Sequence, residues 1–322
     1  MNIEEKQYID LLSKVMSKGE MKNNRTGVPT KSIFGAQMRF SLKEHFPLFT
    51  TKKMFWKGIV EELLWMIRGE TNSKLLEEKG VNIWKGNTSR EFLDKRGLNY
   101  PEGEIGPLYG FQWRNYGGTY ECIDWIKATE EQVSKGANEY LCFNPIRDAG
   151  KAIEKQMHKS LTGVDQLKNV IEKIKTDPND RRLIIDVWNV KQNDKAVLCP
   201  CTAFLQFYVN NGKLSLQTFC RSSDFFLGCP HNASQYALLC ILIARITDLE
   251  PHELVWTGGD VHIYQNHFDA VNEQLNREPF DFPKLKINKD IKTLEDIENM
   301  KFEDFELVDY KCYPAIKAPM AI

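Results

Sequence analysis

The chain has 322 residues, 42% of them hydrophobic, and a formal net charge of -1, so it can bury a sizeable core as one large domain or two ordinary ones. A charge this near zero excludes the basic surface of a dedicated nucleic-acid binder, and no run approaches the ~18 continuous apolar residues of a membrane span. Met1-Asn2-Ile3-Glu4-Glu5-Lys6 lacks the apolar core of a signal peptide, and eight irregularly spaced cysteines read as thiols of a reducing compartment, so a soluble cytoplasmic protein is expected.

Phe55, Trp56, Ile59, Val60, Leu63, Leu64 and Ile67 recur at helical spacing and predict a helix from Phe55 to Arg68, closed by Gly69. From about Gly117 to Thr162 the chain is polar, lysine-rich and without sustained periodicity. A second helix is expected from Val164 to Lys175. The turn Asp177-Pro178-Asn179-Asp180 then delivers Arg181 and Arg182 to a strand from Leu183 to Trp188, a junction that suits an anion. Thr202–Val209 and Lys213–Phe219 are β-rich runs joined by Asn210-Asn211-Gly212, a strong hairpin signal. Ser234–Ile246 is apolar nearly all round and predicts a central buried helix. Between Lys284 and Phe302 charges and short apolar runs mix and set no boundary. These patterns support an α/β class, with no internal repeat and no low-complexity tract.

The chemistry centres on Cys201, in Leu198-Cys199-Pro200-Cys201-Thr202-Ala203-Phe204-Leu205-Gln206-Phe207-Tyr208-Val209, at the mouth of an apolar strand. One hairpin on stands Arg221-Ser222-Ser223-Asp224-Phe225-Phe226-Leu227-Gly228. A cysteine followed by an arginine able to stabilise its thiolate is an arrangement for nucleophilic attack. Cys199-Pro200-Cys201 lacks the spacing of a zinc knuckle, and for the other seven cysteines a buried or bystander thiol is the plainer reading.

Around this centre the chain resembles the thymidylate synthase family over nearly its whole length, from Arg25-Thr26-Gly27 to Ala318-Pro319-Met320-Ala321-Ile322. The ordered blocks include Phe46-Pro47-Leu48-Phe49-Thr50-Thr51-Lys52-Lys53, Glu62-Leu63-Leu64-Trp65 and Gly106-Pro107-Leu108-Tyr109-Gly110-Phe111-Gln112-Trp113-Arg114. They continue with Gln206-Phe207-Tyr208-Val209, Arg221-Ser222-Ser223-Asp224, Leu227-Gly228-Cys229-Pro230-His231-Asn232 and Gly258-Gly259-Asp260-Val261-His262-Ile263-Tyr264. Such ordered blocks carry far more weight than a lone motif.

The resemblance implies one thymidylate synthase-like α/β domain over residues 1–322. It would have a large mixed β-sheet with packed helices, a homodimer through the sheet face, and a family-variable insertion at about 117–162. It implies 5,10-methylenetetrahydrofolate as cosubstrate and no metal. Cys201 matches the nucleophile that adds to carbon 6 of the uracil of dUMP, turning the ring into an enolate that is nucleophilic at carbon 5. Arg221, Ser222 and Arg25 match phosphate contacts. Arg181 and Arg182 match a pair donated across the twofold into the partner's site; outside that context each would be a surface charge. Asn232 matches the reader of the pyrimidine edge, where an amide offers both donor and acceptor to uracil. His262 and Tyr264 match the pair that binds the 3′-hydroxyl. Glu62 and Tyr109 match proton-transfer and water-network residues. Asp224, Ile83, Trp84, Asn87, Leu227, Gly228 and Ala321 match the folate side, where the tail Ala318–Ile322 closes over the cosubstrate and excludes stray water.

Four positions depart from the family pattern: Thr202 stands for histidine, Cys220 for glutamine, Lys85 for aspartate and His231 for phenylalanine. The phage deoxycytidylate hydroxymethylases abandon the same positions. The leading expectation is therefore a deoxyuridylate hydroxymethylase that ends in hydration, with His231 as a base near an ordered water and a phage or phage-derived source. The alternative is an ordinary thymidylate synthase. A catalytically silent homologue is the third reading, opposed by the retained Cys201, Glu62, Tyr109 and Asp224.

Overall fold

The computed structural model describes residues 2–124, 140–142, 155–160 and 163–320. The chain opens with α1 (Ile3–Lys18), which begins where the Asn2 side chain accepts the Glu5 amide and acidic Glu4 and Glu5 fill the first turn. Strands β1 (Glu20–Lys22) and β2 (Thr30–Ser41) precede α2 (Trp56–Ile67). Short helices α3 (Lys74–Glu77), α4 (Arg90–Lys95) and α5 (Gly110–Asn115) lead to β3 (Tyr120–Asp124), β4 (Tyr140–Cys142) and β5 (Lys155–Ser160). Then come α6 (Gln166–Thr176), β6 (Ile184–Asp186), β7 (Thr202–Asn210), β8 (Lys213–Asp224), α7 (Gly228–Ile246) and β9 (Glu250–Tyr264). The described chain closes with α8 (Phe268–Leu275), β10 (Lys284–Ile287), α9 (Leu294–Glu298) and β11 (Phe305–Val308).

The architecture is α/β, with a mixed six-stranded sheet in the order β1-β2-β9-β8-β7-β6. β8 and β9 run parallel, whereas β1 with β2, β2 with β9 and β7 with β8 are antiparallel. The β7–β8 hairpin turns at Asn211 (φ 49) and Gly212 (φ 71), the two left-handed residues that a tight hairpin turn demands. By its contacts the chain divides into two units, residues 1–64, 170–184 and 201–322, and residues 65–169 and 185–200.

In the first unit α7 packs on β8 and β9. The helix is buried along most of its length because its residues are apolar on every side. Leu214, Leu216 and Cys220 of β8 and Leu254 and Trp256 of β9 face the core. On the alternate positions Gln37, Phe204, Gln206, Tyr208, Gln217 and Phe219 stay half-buried or exposed. One buried carboxylate ties α1 to the loop before α2. Glu5 is 0% exposed and accepts from the amides and hydroxyls of Thr50 and Thr51 at 2.6–2.9 Å.

In the second unit Tyr120 donates to Glu104 (2.6 Å), which also accepts from Thr71 (2.9 Å). Gln112, Asn189 and Gln192 form a buried amide cluster at 2.8–3.3 Å. Arg114 grips Asp165 with both carboxylate oxygens at 3.0–3.1 Å.

The structure adjusts several expectations. α7 begins at Gly228, six residues before Ser234, because Asp224 Oδ1 accepts the Phe226 and Leu227 amides (3.1 Å each) and Pro230 sits in the first turn, where its missing N–H costs nothing. β6 is only three residues long rather than running from Leu183 to Trp188: Asp186 Oδ1 captures the Trp188 amide at 2.9 Å and turns the chain out of an edge strand. β8 continues past Phe219 to Asp224, held by its parallel partner β9. The stretch 117–162 contains the antiparallel sheet β3-β5-β4, and its other residues from 125 on lie largely outside the described ones.

Candidate active site

Cys201 precedes β7, and its carbonyl accepts the Arg221 amide at 2.9 Å, which fixes nucleophile and arginine on neighbouring strands. Beside them Thr202 pairs with Cys220, and a bulge lies between Thr202 and Phe204. The parallel β8–β9 register sets Ser222 against Asp260 and Asp224 against His262. Gly259 is glycine because a Cβ there would stand 2.8 Å from the Arg221 carbonyl. Arg221, Ser222, Asp224 and His262 thus lie on adjacent strands in one stretch of the register.

His262 Nδ1 lies 3.2 Å from Asp260 Oδ1, and Lys22 holds the other oxygen at 3.0 Å. The His262 hydrogen bond pulls the Asp260 carboxyl down to about 2. His262 also packs edge-on against Tyr264, with centroids 5.2 Å apart. Burial pushes the Tyr264 hydroxyl up, and its electrostatic neighbours are Asp224, Arg25 and Cys201.

From the other side α7 presents His231 and Asn232, both half-buried. His231 Nε2 lies 2.8 Å from Glu62 Oε2, and Gln235 Nε2 donates to the same oxygen at 2.7 Å. Glu62 is 5% exposed. Tyr236, pushed up by burial, has Thr202 as hydrogen-bond partner and Cys220, Glu62 and Cys201 as electrostatic neighbours. Cys201 is thus an electrostatic neighbour of both Tyr236 and Tyr264.

Of the departures, Thr202 and Cys220 are 2% and 0% exposed, and burial pushes the Cys220 thiol up to about 12, away from reactivity. Both are packing positions. His231 is the one on this unit that meets a functional carboxylate. Arg181 and Arg182 are exposed, and the Arg182 fork is engaged by its own chain's Asp180 at 2.9 and 3.0 Å.

Leu227 and Gly228 are half-buried at the start of α7, and the partly exposed Asp224 carboxylate offers Oδ2 beside them. A carboxylate acceptor next to apolar surface fits the N–H edge of a pterin. In the second unit Ile83 and Asn87 flank Trp84, whose ring lies 6.0 Å from that of Tyr109. Tyr109 adopts φ 36 and ψ -97, a strained conformation for a bulky residue. Lys85 is exposed, and Ala321 lies outside the described residues.

The sequence reading missed four participants. Gln235, one turn beyond Asn232, completes the grip on Glu62. Tyr236 joins Glu62 to the strand ends. Lys52 is buried, donates to the Phe226 carbonyl and sits 3.6 Å over the Phe226 ring, and burial lowers it to about 7. His267 is 0% exposed and donates from Nε2 to the Pro319 carbonyl (2.7 Å), anchoring the C-terminal segment. Only the helical spacing of Gln235 and Tyr236 from Asn232 could have signalled any of them.

The thymidylate synthase family model matches residues 6–322. The chain belongs to the thymidylate synthase family. A thymidylate synthase of Herpesvirus ateles is 44% identical over 319 residues, covering 99% of this chain and 98% of the relative. Bifunctional dihydrofolate reductase-thymidylate synthases of Zea mays and Leishmania major are 44% and 46% identical over 322 and 325 residues, covering 99% and 100% of this chain. The chain spans 55% and 56% of those two longer relatives. This is a family of one-carbon transferases that use 5,10-methylenetetrahydrofolate as cosubstrate. The named relatives are thymidylate synthases, which leaves the hydroxymethylase and phage-modification expectation without support and favours its alternative. Among the described residues no group of three or more His, Cys, Asp or Glu is arranged to hold a metal, and no helix is long and apolar enough to cross a membrane.

Proposed function

We propose that the chain is a thymidylate synthase, converting dUMP to dTMP. The observation that carries this reading is the position of Cys201, bound through its carbonyl to Arg221 and sharing the Tyr236 neighbourhood with Glu62. Cys201 adds as thiolate to carbon 6, and Arg221 supplies positive charge beside it. Arg25 and Ser222 meet the phosphate, His262 and Tyr264 meet the 3′-hydroxyl, and Asn232 reads O4 and N3–H of uracil. The reduced folate, when bound against Asp224, Leu227 and Gly228, supplies the one-carbon unit and the hydride. Once carbon 5 carries the new carbon, its hydrogen leaves as a proton to Glu62 and the C–H electrons return to the ring. They then expel the folate nitrogen from the new carbon to leave an exocyclic methylene. Hydride from the released tetrahydrofolate adds to that methylene as the bond from carbon 6 to Cys201 breaks, giving the methyl group, dihydrofolate and the free thiolate.

The likeness to named thymidylate synthases supports dTMP over the hydroxymethylated product. A homodimer through the outer sheet face belongs to the same reading. Tyr208 and Phe219 are 61% and 40% exposed there, apolar area that a second subunit would cover, with Arg181 and Arg182 donated across. Incubation with dUMP and methylenetetrahydrofolate tests the function. Nucleotide mass and folate absorbance should show a gained methylene and dihydrofolate; a gained formaldehyde unit with tetrahydrofolate would reverse the reading.

A further inference from the structure

His231 stands where the family has phenylalanine, yet its ring meets a carboxylate. Nε2 is 2.8 Å from Glu62 Oε2, and Gln235 donates 2.7 Å to the same oxygen. The Glu62 side chain is 7% exposed and that of His231 18%. A neutral ring that carries its proton on Nε2 can donate to an ionised Glu62. Two donors then converge on Oε2 and fix the orientation of the carboxylate. Tyr236 on α7 has Cys220, Glu62 and Cys201 as electrostatic neighbours, and Glu61 precedes Glu62 on α2.

We propose that His231 is a positioning residue for Glu62: its Nε2–H holds the carboxylate oriented to take the proton from carbon 5 of dUMP. This rests on the function proposed above. In that step the C5–H bond breaks, its electron pair returns to the ring and the proton goes to Glu62; His231 exchanges nothing.

The experiment follows tritium release from C5-tritiated dUMP with methylenetetrahydrofolate, a step common to methyl and hydroxymethyl products. His231→Phe should lower kcat by about tenfold or more, with the KM for dUMP within about twofold. His231→Gln, which keeps an N–H donor, should recover kcat to within about threefold of the unaltered protein. A His231→Phe variant with unaltered kcat, or a His231→Gln variant no better than it, would overturn the proposal. Ring ¹⁵N spectra of the protein without substrate give a separate check. They should show the His231 proton on Nε2, with that signal shifted in Glu62→Gln, and an Nδ1-protonated ring refutes the assignment. Absence of tritium release from the unaltered protein would count against the proposed function, and the ¹⁵N result would still decide the pair.

Discussion

Glu5 and Glu62 are both buried carboxylates of the first unit, 0% and 5% exposed, and they are held in opposite ways. Glu5 is met by two backbone amides and two threonine hydroxyls, donors that do not titrate near neutrality. Glu62 is met on one oxygen by an imidazole and an amide side chain. The first arrangement uses a carboxylate as a structural knot between α1 and the Thr50-Thr51 loop. The second sets Glu62 of α2 against two side chains of α7. Burial alone does not mark a functional acid; the nature of the donors does.

Substitutions can break that contrast. Glu62→Gln should cut turnover by roughly 10²- to 10⁴-fold with little change in the urea midpoint, as expected for a lost proton-transfer group. Glu5→Ala should do the reverse, costing about 3–5 kcal/mol in urea unfolding because it strands buried donors, while the fraction that stays folded keeps its kcat. Gln235→Leu removes one donor from Glu62 and should lower kcat by about tenfold and cost about 1.5–3 kcal/mol in urea unfolding, the usual contribution of a single hydrogen bond to a charged group.

The smallest effect belongs to Asp260. Its folded carboxyl titrates at about 2 against a usual 3.8, so its contribution is fully present above pH 3.8 and is lost as pH falls through about 2. Asp260 is partly exposed, and screening trims that contribution to about 1 kcal/mol. Asp260→Asn should lose this amount at pH 7 and flatten the acid end of a stability-against-pH curve measured by urea unfolding.

Local signals were legible in the sequence. The Asn211-Gly212 turn, the apolar stripe of α2 and the all-round apolarity of α7 are short-range patterns, and each appears where expected. The strand order was not legible from pattern, because the parallel pairing of β8 with β9 joins strands separated by α7 and leaves no periodic trace. Asp224 and Asp186 set the start of α7 and the end of β6 through side chain to backbone bonds that periodicity does not register. The catalytic candidates were readable through family motifs, and the grip of Gln235 and His231 on Glu62 was not, because those residues sit 173 and 169 positions from it. Glu5 carried no signal at all: an acidic residue in a first helical turn reads as a surface charge.

The central claim, that Cys201 is the nucleophile of a working one-carbon transfer site, is tested most directly by trapping. The protein is incubated with 5-fluoro-dUMP and methylenetetrahydrofolate, digested, and its peptides weighed. The account predicts a stable adduct carrying both nucleotide and folate on the peptide that contains Cys201, and none in Cys201→Ser. An adduct on another cysteine, or no adduct with the unaltered protein, would contradict it.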